Sequence, residues 1–100
     1  MASQPIDEDD MRELELYVEN TGELYPDKKR IIALMAHRIT CERYDRAEAA
    51  KLWRRWLHKG ASMYRREIGR GPRFTAALKN KLALELAEEY EGRIRRHEES

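Results

Sequence analysis

Apolar residues return every three or four positions along this chain, and no segment alternates with the period of two that a strand requires. Four helices are predicted. The first begins near Asp9 or Asp10, where carboxylates favour exposed amide ends. Its stripe is Met11, Leu14, Tyr17 and Val18, reaching Leu24 and Tyr25 if the helix passes through Gly22. Leu16 lies off that stripe and is expected to meet another element. The second helix starts around Pro26 and Asp27, buries Ile31, Leu34, Met35 and Ile39, and ends by about Glu42.

The third helix, Asp45 to Ile68, has the clearest signals. Asp45 followed by Glu48 resembles a capping box, and Gly69-Arg70-Gly71-Pro72 stops the helix. At 100° per residue, Ala49, Trp53, Trp56, Leu57, Gly60, Tyr64 and Ile68 share one stripe, with Leu52 and Met63 at its edge. Trp53 and Trp56 are therefore assigned to the core. Gly60, near the centre of the stripe, would let another helix approach closely at a propensity cost of about 1 kcal/mol.

The fourth helix begins at a Thr75 cap and runs to about Arg95. Leu78, Leu82, Leu86, Tyr90 and Ile94 recur every four residues, with Ala77, Ala83 and Ala87 as small neighbours. The tyrosines at 17, 25, 44, 64 and 90 are read as core rings with hydroxyls reaching the surface, Tyr25 and Tyr44 the more exposed. The fold class is all-α: a single small helical bundle of about four helices over residues 1–100, with 1–8 and 96–100 as flexible, charged ends.

Charge changes this picture. Charged residues are 39% of the chain, yet the net charge is only +1, because the two signs are segregated. Asp7, Glu8, Asp9, Asp10, Glu13, Glu15, Glu19 and Glu23 face one cation, Arg12, in residues 1–25. Between Arg43 and Arg73, ten Arg or Lys stand against three acids, a local excess of +7. On the third helix Lys51, Arg55, Lys59, Ser62 and Arg66 follow one line, flanked by Arg54, His58 and Arg65, and Arg43, Arg46, Arg70 and Arg73 extend it. That face is about 35 Å long at 1.5 Å per residue. Either it is a solvated helix face, partly neutralised by the acidic first segment folding across it, or it meets an anionic partner.

Catalytic chemistry is not indicated. His37, His58 and His97 are isolated, so no metal site is expected, and the clustered carboxylates lack the burial that would split their pKa values. Gly-Arg-Gly-Pro lacks the Lys-Ser/Thr of a phosphate loop, and no cofactor is implied. Cys41, the single cysteine, is read as a buried inert thiol beside Ile39. No apolar run approaches a membrane span and MASQPIDEDDM has no signal-peptide character, so no membrane association and a cytoplasmic location are expected.

Two stretches carry a family resemblance: Leu14 to Tyr25, LELYVENTGELY, and Glu42 to Gly69, ERYDRAEAAKLWRRWLHKGASMYRREIG. They resemble a small family of phage and prophage accessory proteins whose pattern is LYIEN-x-x-x-LY followed by YD-x-x-KA-x-KLW-x-x-L-x-x-x-GA-x-x-Y-x-x-E-x-G. The matching positions are Leu16, Tyr17, Val18, Glu19, Asn20, Leu24, Tyr25, Tyr44, Asp45, Ala49, Lys51, Leu52, Trp53, Gly60, Ala61, Tyr64, Glu67 and Gly69. Glu48 departs from it, standing where the pattern carries a cation, and the fourth helix lies outside the matched stretches. The resemblance implies a non-enzymatic protein that binds and inhibits or modulates a host factor, including antiviral defence components such as a CRISPR complex.

Three functions follow as expectations. The first is protein–protein contact with a host protein through the basic face, Lys51, Arg54, Arg55, Lys59, Arg65 and Arg66, or through an acidic alternative, Asp9, Asp10, Glu13 and Glu23. The second is a nucleic-acid-binding accessory protein using the same basic face. The third is a structural homo-oligomer whose acidic and basic faces pair between subunits.

Overall fold

The computed structural model describes residues 6–99. Four α-helices follow one another: α1 (Glu8–Asn20), α2 (Tyr25–Thr40), α3 (Arg46–Ile68) and α4 (Ala76–Glu99), with a 3-10 turn at Gly22–Leu24 joining the first two. No strand occurs among the described residues. The bundle is flattened, measuring 43 × 37 × 20 Å.

Each helix start has a local cause. Asp7 accepts from the amides of Asp9 and Asp10 with Oδ1, so α1 opens slightly earlier than the sequence predicts. Pro26 occupies the first turn of α2 beside Asp27. Asp45 Oδ1 accepts from the Ala47 amide at 2.9 Å, while Glu48 turns to Lys51 at 3.9 Å, so α3 has the cap without the reciprocal half of the box. Thr75 Oγ1 accepts from the Leu78 amide at 3.1 Å, as its position predicts. Gly69 closes α3 in the left-handed region at φ 68°.

The long α3 and α4 pack along each other, and α1 and α2 cover both of them. Trp53 is fully buried, stacked on Tyr90 at 5.1 Å and edge-on to Trp56 at 5.4 Å. Both indoles are satisfied: Trp53 Nε1 donates to Met35 Sδ at 3.3 Å, and Trp56 Nε1 to the Leu24 carbonyl at 2.9 Å. Gly60 lies against Val18 and Leu24, and a Cβ built there would overlap Val18 Cγ1. This is the close approach expected of a glycine at the centre of the stripe.

Several positions differ from expectation. Leu16 projects from α1 into solvent, and Leu34, Ile68 and Ala77 are exposed although each fits the apolar spacing of its helix. Cys41 is exposed, not buried: α2 ends at Thr40, which leaves the thiol at the cap, 3.8 Å from His37 Nε2. The Tyr44 hydroxyl is buried without a hydrogen-bond partner of good geometry, and burial followed by the charge of Glu91 pushes its pKa up to about 12. Helix α4 continues through residues 96–99, beyond the Arg95 expected, and Asp7 and Glu8 belong to the start of α1. Of the ends expected to be flexible, positions 1–5 and 100 lie outside the described residues.

Candidate anionic-partner interface

The basic face forms on α3, but its six residues are not equivalent. Lys59 reaches across to Asp27 at the start of α2, 2.7 Å away, and this contact holds the Asp27 carboxyl below its ordinary range. Lys51 pairs along the helix with Glu48. Arg54 leans over α4 to donate to Asn80 Oδ1 at 3.4 Å. Arg55, Arg65 and Arg66 are exposed and make no ion pair among the described residues.

Direct ion pairing with the acidic first segment, the contact that neutralisation would bring, is not found among the described residues. Helix α1 does pack against α3, but on its apolar stripe, where Val18 lies against Gly60. Glu8 pairs with Lys81 of α4 at 2.6 Å, and Arg12 ties α1 to Glu85 of α4 at 3.1 Å. Glu13 accepts from the Tyr64 hydroxyl at 3.4 Å. No ion pair among the described residues joins an acid of α1 to Lys51, Arg54, Arg55, Lys59, Arg65 or Arg66.

The acidic alternative is only partly brought together. Asp10 stands among Asp7, Asp9 and Glu13, and partial burial followed by these like charges raises its pKa. Glu23 sits in the 3-10 turn at the opposite end of α1. Three of the four candidates therefore form one group and the fourth does not join it.

The positive charge is densest where α3 ends. Gly69 reverses the chain, and Gly71, at φ 128°, lets the loop pass over Tyr64, whose hydroxyl would be 2.9 Å from a Cβ at that position. The loop thus places Arg70 and Arg73 around a half-open cleft of about 670 Å³, which Arg65 and Arg66 line from α3 and Lys79 from α4. No carboxylate among the described residues lines it. Lys79 Nζ lies 3.0 Å from His58 Nδ1, and burial, then the neighbouring Arg65 charge, lowers its pKa. Lys79 was not expected from the sequence, because it belongs to a helix read only for packing. The two glycines flanking Arg70 were the available signal that the basic line bends into a cleft.

No protein-family model matches this chain, and no curated protein or solved structure matches it at a significant level. No helix among the described residues is long and apolar enough to cross a membrane.

Proposed function

We propose that this chain is a non-enzymatic binding protein that docks the basic outer face of α3 onto an acidic surface of another protein. One observation carries this reading: the acids of α1 make their ion pairs with Arg12 and with Lys81 of α4, leaving Arg55, Arg65 and Arg66 without a carboxylate partner among the described residues. Exposed arginines of this kind steer association and supply contacts once desolvated. The near-zero net charge and the separate acidic group on α1 favour a local contact over one that follows a long polyanion. The sequence resemblance adds that the source is a phage or prophage and that the partner is a host factor, with an antiviral defence component such as a CRISPR complex as the specific form.

The test is capture from bacterial lysate by the wild-type chain and by Arg54→Glu/Arg55→Glu, with folding checked by circular dichroism. A discrete protein should be retained at low salt, released as salt rises, and absent from the variant's eluate. Identical capture by the two chains would sink the proposal. Salt-sensitive binding to random oligonucleotides without any protein captured would move the function to nucleic acid.

A further inference from the structure

The cleft at the α3–α4 turn has the chemistry of a ligand site in its own right. Arg65, Arg66, Arg70, Arg73 and Lys79 bring about five positive charges to one concavity, and the other titratable groups that line it among the described residues are His58 and Tyr64, neither of them a carboxylate. Such an arrangement is unfavourable while empty, because like charges repel and partial burial penalises an ammonium. Elsewhere in the bundle interhelical cations meet carboxylates, as in Lys81 with Glu8 and Arg46 with Glu88 and Glu91. Here, among the described residues, the arginines make no ion pair and the polar partner of Lys79 is His58 Nδ1 rather than a carboxylate. The fold therefore holds a cation cluster together without compensating it.

We propose that this cleft binds an oligophosphate, gripped by Arg65, Arg66, Arg70, Arg73 and Lys79. Charge and size select the class. One carboxylate offsets a single charge and a phosphate monoester up to about two, whereas a chain of phosphates approaches the charge of the cluster. Guanidinium forks match phosphate oxygens in pairs, and four forks in one cleft can serve several phosphate groups at once. A volume of about 670 Å³ exceeds what a lone phosphate needs and lies within the range of small-molecule sites. The remaining wall includes Ala61, Pro72 and Phe74, an apolar surface for an organic group attached to the phosphates. The inference shares Arg65 and Arg66 with the docking face but depends on the loop, so either can fail without the other.

The experiment is calorimetric titration of the full chain with inorganic tripolyphosphate, with ATP and with citrate at matched ionic strength. Tripolyphosphate should bind and raise Tm with concentration, and citrate should bind at least about tenfold more weakly. ATP binding tighter than tripolyphosphate identifies an organic oligophosphate, and equal binding identifies the phosphates alone. Arg70→Gln/Arg73→Gln and, separately, Lys79→Gln should each weaken tripolyphosphate by about tenfold or more. Lys29→Gln/Arg38→Gln, which removes two exposed charges from α2, should bind as the wild type does. No binding at low salt, citrate binding as tight as tripolyphosphate, or equal losses in the loop and α2 variants would each overturn the site.

Discussion

Trp53 and Arg54 are neighbours in sequence, and the two faces of α3 to which they belong are held by different physics. Trp53 is fully buried, with its ring stacked on Tyr90 and its N–H donated to Met35, so its position follows from contacts with two other helices. Arg54 is exposed and donates a hydrogen bond to Asn80 of α4, and its neighbour Arg55 makes no ion pair among the described residues. The inner face determines how the bundle assembles. The outer face contributes little to assembly, which frees its composition to be set by something outside the bundle. Substitutions on the two faces should therefore report on different quantities.

The largest expected effect is on the inner face. Trp53→Ala should cost about 3–5 kcal/mol, because it removes a fully buried ring and leaves a space bounded by Tyr90, Trp56 and Met35. Urea denaturation measures it, and a loss under about 1 kcal/mol would mean the two faces are not distinct. Gly60→Ala comes next. The added methyl gains about 1 kcal/mol of helix propensity but overlaps Val18 Cγ1, a stiff β-branched neighbour, and lies 3.3 Å from Leu24 Cδ1. Overpacking of this kind costs about 1–3 kcal/mol, so after the propensity gain a net destabilisation of up to about 2 kcal/mol is expected. A stabilised variant would show that α1 can withdraw from α3 without loss.

The inner face was legible in the sequence because burial leaves a period. Ala49, Trp53, Trp56, Leu57, Gly60 and Tyr64 are all buried as their spacing predicts, and Asp45, Gly69 and Thr75 act at helix ends through chemistry that is local in sequence. Exposure at the rim was less legible. Leu34, Ile68 and Ala77 fit a stripe yet are exposed, and which members of a stripe are covered depends on crossing geometry that a single helix does not encode. The outer face was legible as a line of cations and illegible as a site. Lys59 with Asp27, and Lys79 with Arg65, are brought together by tertiary packing between residues on different helices. The expected pairing with the acids of α1 failed for the same reason, since the sequence shows that acids are present but not which cations they reach.

Glu91 tests the boundary between the faces, being a charged group largely covered by the fold. Burial alone would raise its pKa, but hydrogen bonds from Arg95 at 2.9 Å and Arg46 at 3.2 Å outweigh that and hold it below the ordinary range. A folded-state pKa below the unfolded one gives stability that is present above the unfolded value and lost as pH falls through the folded one. Glu91→Gln should therefore lower stability at neutral pH by less than about 1 kcal/mol, since both arginines are half exposed. It should also narrow the stability difference between about pH 7 and about pH 3. An unchanged difference would show that the Arg46 and Arg95 contacts do not distinguish the folded carboxylate from the unfolded one.

The smallest expected effect lies on the outer face, and it carries the most for function. Arg54→Glu/Arg55→Glu should change folding stability by no more than about 0.5 kcal/mol, because the pair loses one long contact to Asn80 and no ion pair. Charge reversal also places a carboxylate at position 55, four residues from both Lys51 and Lys59, where new i,i+4 attractions offset part of any loss. Denaturation of this variant alongside Trp53→Ala gives the comparison directly. A loss above about 1 kcal/mol would make these arginines part of what holds α3 to α4, and failed partner capture by the variant would then report unfolding. With stability unchanged, the same failure can be ascribed to the loss of positive charge from an intact surface.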